Sequence, residues 1–474
     1  MTRPPSPDLL SRLAALLGPK GFATSDEDLA PWLTDWRGKY HGRAAAMLSP
    51  ASTEEVAAVV RLCAENDAAI VPQGGNSGMV GGATPDASGT QLLLSTRRLN
   101  RIRSIDAAAG FAVAEAGVIL ETFHHAALAE GLRFPLTLGG KGSATIGGLV
   151  STNAGGTQVL RHGTMRALVA GVEAVLPDGS LFDGLAPLKK DNRGYDLRHL
   201  LCGAEGTLGV VTAATLRLVP AAPDRTTAWI GLASPDKALL LLRQLDAAIG
   251  APLEGFEIVP HGCLDAVLYH IPQTRAPLDA PHAWYALVEL AGGKTDDLSA
   301  RLETQLAIAL QNGVIDDVVI AKNDRESDDF WRLRDSISEA ERAEGPAIQH
   351  DVSVPVDRMP RFIADNPARL TAAFPGARAL SFGHLGDGNV HHHVQPPADS
   401  DGRAWIAAHG EDASRLVYRH VIELGGSISA EHGIGQMKRD VFAQLDSPAR
   451  LAALRGVKAG LDPAGLFNPG KLIG

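Results

Sequence analysis

Glycine clustering constrains this chain more than any other feature. The residue gathers in three places: Pro72-Gln73-Gly74-Gly75-Asn76-Ser77-Gly78-Met79-Val80-Gly81-Gly82, the run LGGKGSATIGGLVSTNAGG from Leu138 to Gly156, and Gly203-Ala204-Glu205-Gly206-Thr207-Leu208-Gly209. Glycine tolerates positive φ and lets backbone approach a ligand closely, so successive N–H groups can converge on an anion. One such cluster reads as a turn; three in one region point to a large phosphate-bearing ligand. None opens a helix as GxGxxG or spells GxxxxGK[ST], which disfavours an ordinary dinucleotide fold and a P-loop. The 51 glycines among 474 residues exceed the ~7% usual in proteins.

The rest of the composition narrows the class. At roughly 100 to 200 residues per domain the chain holds two to four domains. Cys63, Cys202 and Cys263 lie far apart, too few for a four-cysteine cluster and without disulfide spacing, so a reducing, cytoplasmic setting is expected. A net charge of −10 with no long basic run argues against nucleic acid. The longest aliphatic stretch, near Ala238 to Leu242, is closed by Arg243, far short of the ~18 residues of a membrane span. Ser6 and Pro7 open an amphipathic helix with Leu9, Leu10, Leu13, Leu16 and Leu17 on one face. Gly18 and Pro19 stop it, and Ser11 and Arg12 break any apolar signal core.

Further along, Ser52 and Glu55 form a capping box for a helix through Val56, Val59, Val60 and Cys63. Strands are expected at 69–71, 92–95 and 111–116, a helix over 120–130, and a hairpin over 172–181 turned by Pro177-Asp178-Gly179. An alternating strand follows the third cluster to Val219. Pro220 to Asp224 is the best linker. Beyond it strands alternate with helices: strand 226–232, helix from Lys237, strands 255–259 and 283–290, helix from Leu298, strand 318–321. That order resembles an enlarged split β-α-β sandwich.

The three motifs together resemble the flavoproteins of the vanillyl-alcohol oxidase type, whose FAD domain carries P-x-G-G-x-S, G-G-x-x-x-x-N-A-G-G and G-x-E-G-T-L-G. Here these are Pro72 to Gly78, Gly147 to Gly156 and Gly203 to Gly209. The resemblance implies an α+β chain: a two-subdomain FAD-binding domain, then a ferredoxin-like antiparallel-sheet substrate domain with covering helices and a C-terminal return segment. The expected boundaries are 1–42 for an N-terminal helical segment, 43–222 for FAD, 223–430 for substrate and metal, and 431–474 for the return. It further implies that Gly74, Gly75, Asn76, Ser77 and Gly78 hold the pyrophosphate. Gly142, Ser143, Thr145, Gly148, Asn153, Gly155 and Gly156 would line the isoalloxazine and ribityl chain, with Pro72, Leu138, Glu205, Gly209, Val211 and Asn468 also touching FAD. Covalently flavinylated relatives place His in the first loop; Asn76 and the lack of His or Cys from Pro72 to Gly82 imply non-covalent FAD.

A second pattern lies in the later half: SFGHLGDGNVHHHV from Ser381 to Val394, and Ala430-Glu431-His432-Gly433. Gly386-Asp387-Gly388-Asn389 is a turn signal, and a hairpin pairing Leu385 with Val390 would set His384 opposite His391. Such neighbours, with Cβ atoms roughly 4.5–5.5 Å apart, reach one metal ion. Glu431 would complete a set with open positions, as in a catalytic zinc site. His393 would share the His391 face and His392 would point away. Spacing alone leaves a metal-free polar rim equally open. These motifs resemble those of the FAD-dependent D-2-hydroxyacid dehydrogenases. By that resemblance His384, His391 and Glu431 bind a divalent metal, with zinc expected over manganese or cobalt, and His432 is the base that takes the hydroxyl proton as hydride leaves for flavin N5.

The same resemblance implies that Arg334 and Ser338 hold a substrate carboxylate. At i and i+4 they would share one helix face. Gln349 stands where 2-hydroxyglutarate enzymes carry Lys, and His393 where they carry Asn; His384, His393 and His432 are the other implied substrate contacts. The resemblance therefore implies D-2-hydroxyglutarate, D-lactate or a related D-2-hydroxyacid as the expected substrate. Electrons would pass to an external quinone, electron-transfer flavoprotein or cytochrome, with a homodimer as the permitted assembly. A rival within the fold is an alkyl-dihydroxyacetone-phosphate synthase without net redox, echoed by His391 to His393; another is a non-catalytic subunit of a glycolate-oxidase-type complex, against which Glu431 and His432 speak.

Overall fold

A computed structural model describes residues 4–293 and 296–473. The chain divides into two units, one of residues 1–156, 162–220 and 431–474, the other of residues 157–161 and 221–430.

The first unit is built on two sheets. In one, Phe22–Ala23, Ala44–Leu48, Gln91–Ser95 and Ile70–Gln73 lie side by side in that order, parallel except for the first pair. Helices Pro7–Leu17 and Thr53–Glu65 share its core through Leu9, Leu13, Val56, Val59, Val60 and Cys63. Ser6 caps the first helix by accepting the Leu9 N–H, and Gly18 at φ 64° ends it. The second helix is capped by Ser52 on the Glu55 N–H. The return bond of Glu55 goes to the Ala51 N–H instead of closing the reciprocal box.

The second sheet is antiparallel, in the order Ile102–Asp106, Phe111–Glu115, Val210–Arg217, Val169–Val175, Leu181–Gly184. The strand Val210–Arg217 was expected to alternate, yet seven of its eight residues are buried, because it is central and covered on both faces. Glu173 ties the two layers together. Its carboxylate accepts from Thr53 of the helix, from Thr212 and from both terminal nitrogens of Arg103.

The second unit carries a seven-stranded sheet in the order Asp317–Ile320, Asp224–Leu232, Trp284–Gly292, Leu253–Pro260, Arg378–His384, Asn389–Gln395, Ile348–Ser353. Every pairing is antiparallel. On one face lie helices His261–His270, Asp324–Asp335 and Ile337–Glu344, sharing a core with Trp229, Val259, Leu287 and Phe382. The other face meets Met359–Ala373 and Gly402–Glu423, where Phe362 and Tyr418 pack on His392 and His350. No helix among the described residues is long and apolar enough to cross a membrane.

Candidate active site

In the first unit the three glycine clusters converge. A Cβ on Gly74 would lie 2.2 Å from Thr145 Oγ1, and one on Gly75 only 1.7 Å from the Ser143 carbonyl oxygen. Those two glycines therefore let the first loop seat against the second cluster, where any side chain would drive them apart. Gly78, by contrast, faces open space. Asn76 is left-handed and donates to the Thr34 carbonyl. Helix Ile146–Thr152 ends at left-handed Asn153, whose Oδ1 accepts the Arg166 N–H. Gly156 backs onto Thr137, Gly209 onto Val175, and Pro72 onto Gly206. Val211 is buried beside Ala174 in the second sheet. Asn468, also left-handed, donates to the carbonyls of Gly82 and Glu205, joining the C-terminal segment to the first and third clusters.

These residues fit an FAD. Thr145 Oγ1 and Asn468 Oδ1 are buried without a hydrogen-bond partner among the described residues, and both sit against the glycine loops. Such atoms are expected to meet an acceptor or donor from a ligand.

In the second unit one sheet face gathers the polar side chains. His384 pairs with Asn389, and His391 with Phe382, so the expected His384–His391 pairing is off by two residues. The loop keeps the expected four residues but begins one residue earlier, at Leu385. Gly388 takes φ 81° and its N–H reaches the His384 carbonyl, which holds Leu385 to Gly388 out of the ladder. A slip of two preserves the face, and the His384 and His391 rings still lie 5.4 Å apart. His393 shares that face, with Nδ1 2.5 Å from the buried Glu341 carboxylate. His392 turns to the other side and bonds Ser381.

Glu257, directly opposite His384, organises the cluster. Its carboxylate accepts from His384 Nδ1 at 2.5 Å and from Arg334 Nε at 2.8 Å. A carboxylate only accepts and a guanidinium only donates. His384 is therefore assigned its proton on Nδ1, and Nε2, 3.4 Å from the Arg334 guanidinium, keeps its lone pair. Burial pushes the Glu257 carboxyl up, but the Arg334 charge and the hydrogen bonds from His384 and Arg334 outweigh it and hold it down at about 2. Burial, with Arg334 and His384 nearby, drives His391 well below the ordinary imidazole range, so it is neutral and able to donate a lone pair.

Arg334 and Ser338 do not lie on one continuous helix. The first helix ends at Asp335, with Ser336 as its cap, and a second starts at Ile337, leaving Arg334 buried and Ser338 exposed. Gln349 and His393 are cross-strand partners, so the two positions that depart from the 2-hydroxyglutarate pattern adjoin. Glu431 and His432 open the segment with which the chain re-enters the first unit.

Residues 44–184 match an FAD binding domain and residues 221–472 the C-terminal domain of FAD linked oxidases. The chain is 36% identical to the mitochondrial D-2-hydroxyglutarate dehydrogenase of Arabidopsis thaliana over 98% of its own length and 81% of that protein. It is 38% identical to the D-2-hydroxyglutarate dehydrogenase of Xanthomonas citri pv. viticola, over 95% of this chain and 93% of the other. The chain belongs to the FAD-dependent D-2-hydroxyacid dehydrogenase family. The fold agrees: p-cresol methylhydroxylase superposes with a TM-score of 0.76 at 15% identity, covering 98% of this chain and 96% of the other.

As a member of this family the chain is an FAD-dependent oxidoreductase acting on CH–OH groups, which sets aside the synthase without net redox. Three acidic residues of its polar face, Glu257, Glu341 and Asp351, escaped the sequence reading. Asp351 stands opposite His391 and accepts from Asn389. The available signal was an acid inside an apolar strand, as in Gly255-Phe256-Glu257-Ile258-Val259, since a buried carboxylate needs a partner.

Proposed function

We propose that this dehydrogenase converts a D-2-hydroxyacid to the 2-oxoacid with non-covalent FAD and a divalent cation, zinc by the donor set. By the resemblance of the two histidine motifs, the cation would be held by His384, His391 and Glu431. The observation that carries the reading is the Glu257–His384–Arg334 arrangement. A carboxylate fixes the imidazole tautomer, as the outer partner of a ligating histidine does, and a buried guanidinium stands beside the same nitrogen.

The bound cation would polarise the substrate α-hydroxyl. FAD, when bound, supplies the two-electron acceptor for the α-hydrogen. Arg334 holds the substrate carboxylate, for which its planar fork is suited. His432 takes the hydroxyl proton as the general base. Ser338, His393 and Gln349 line the remainder of the substrate, and the electrons leave to an external quinone, electron-transfer flavoprotein or cytochrome. The D-2-hydroxyglutarate enzymes among the relatives favour that diacid, while the uncharged Gln349 favours a monoacid such as D-lactate.

The test is anaerobic mixing of the flavoprotein with D and L forms of 2-hydroxyglutarate, lactate and malate. Bleaching by one D-acid, and its loss in His432→Ala with FAD still bound, is the expected result. A His432→Ala protein that bleaches at the wild-type rate removes the base, and a flavin that stays with acid-precipitated protein removes the non-covalent assignment.

A further inference from the structure

The loop that follows His432 is wrapped around a side chain of the third glycine cluster. Glu205 Oε1 accepts the Ile434 N–H and Oε2 the Gly435 N–H, each at 2.7 Å. Gly433 at φ 81° and Gly435 at φ 53° supply the left-handed turns, and a Cβ on Gly433 would come within 2.8 Å of the same carboxylate. This is a backbone nest of the kind that binds anions, with a side chain as its anion. Glu205 is itself pinned at both backbone ends, its N–H on the Ser151 carbonyl and its carbonyl on the Asn468 amide, each at 2.7 Å. The carboxylate is buried.

We infer that Glu205 is a positioning residue for His432, fixing where the base leaves the backbone. The inference rests on the reading of His432 as the base. His432 precedes Gly433 directly, so its Cα is one peptide from the nest, about 3.8 Å from that of Gly433. Further along the loop Gln436 and Met437 donate to the Val80 carbonyl and Leu472 to that of Gly435. Of these bonds, the two to the Glu205 carboxylate lie nearest the base along the chain, at two and three residues from it. A glutamine would serve it poorly, because one of its two ends is a donor facing an N–H donor.

Displacement of a catalytic group by about 1 Å costs about 100-fold in rate. The experiment compares Glu205→Gln, Glu205→Asp, His432→Ala and the double variant Glu205→Gln/His432→Ala, reading FAD content, substrate KM and the anaerobic rate of flavin reduction. Glu205→Gln is expected to keep its FAD and KM and to lose about 100-fold in reduction rate, and Glu205→Asp to lose less. The double variant is expected to be no slower than His432→Ala, the signature of two residues acting as one. A Glu205→Gln protein reducing at the wild-type rate, or a double variant showing the product of two separate losses, overturns the inference. So does failure of both Glu205 variants to fold or hold FAD, which makes the residue structural. A wild-type rate in His432→Ala overturns the base itself, whereas an inactive His432→Ala beside a normal Glu205→Gln overturns only the role of Glu205.

Discussion

Replacing Glu257 by Gln keeps the size of the side chain and removes its charge at the centre of the polar face. The carboxylate is 1% exposed and bonds both His384 Nδ1 and Arg334 Nε. The amide oxygen can accept from one of these donors, and the amide nitrogen then faces the other. Removing one partner of a buried ion pair costs about 3–5 kcal/mol, and at about 2–4 °C per kcal/mol for a domain of this size the melting temperature falls by roughly 6–20 °C. The pH dependence has a definite sign. The Glu257 carboxyl is held at about 2 against an ordinary 4.5, so its contribution is full above the unfolded value and is lost as pH falls from 4.5 toward 2. Loss of the carboxylate also frees the His384 tautomer, which typically weakens a metal site 10–100-fold, about 1.4–2.7 kcal/mol. Competition of the folded, FAD-loaded variant against a zinc chelator of known affinity measures this directly. An unchanged metal affinity would refute the argument that Glu257 sets the ligating nitrogen.

Gly75→Ala places a Cβ 1.7 Å from the Ser143 carbonyl, so the variant is expected to lose bound FAD and to melt earlier than wild type. Gly78→Ala, which meets nothing within 4 Å, melts as wild type in the FAD-free protein; equal behaviour of the two would refute the close-approach reading. Gln349→Lys adds a cation beside His393 and is expected to shift kcat/KM about 10-fold toward D-2-hydroxyglutarate over D-lactate, the worth of one charge-assisted hydrogen bond. An unmoved ratio would show that this edge of the sheet does not contact the distal carboxylate. For Glu173, burial raises the carboxyl, but the bonds from Arg103, Thr53 and Thr212 outweigh it and lower it. Glu173→Gln is therefore expected to cost about 2–3 kcal/mol at neutral pH. That difference should close as pH drops below the ordinary carboxylate value, as thermal melts of both proteins across pH would record.

The glycine clusters were legible because the backbone needs the missing Cβ: Gly75 against Ser143 and Gly156 against Thr137 admit nothing larger. The histidine face was legible for a similar reason. Strand periodicity fixed the side of the sheet on which His384, His391 and His393 lie even though the pairing was shifted by two residues. The register itself depended on which four residues leave the ladder, Leu385 to Gly388 instead of Gly386 to Asn389, and the bond from the Gly388 N–H to the His384 carbonyl selects the former. Helix His261–His270 went unseen because Pro260 precedes it without a side-chain cap. The break between Arg334 and Ser338 carries no proline or glycine to announce it. The acidic partners were hidden by distance along the chain, since Glu257 meets residues 77 and 127 positions away. Glu205 was assigned to the cofactor from its motif; that its carboxylate also holds the loop after His432, 229 and 230 positions along the chain, was not legible there.

The central claim is that oxidation of a D-2-hydroxyacid by this chain needs both FAD and a divalent cation. The most direct test strips the holoprotein of metal with a chelator, retains its FAD, and follows flavin absorbance on anaerobic addition of a D-2-hydroxyacid, before and after zinc is restored. The account predicts no bleaching without metal, full bleaching once zinc returns, and none with the L-acid in either state. Bleaching by the D-acid at the same rate in stripped and restored protein would contradict it.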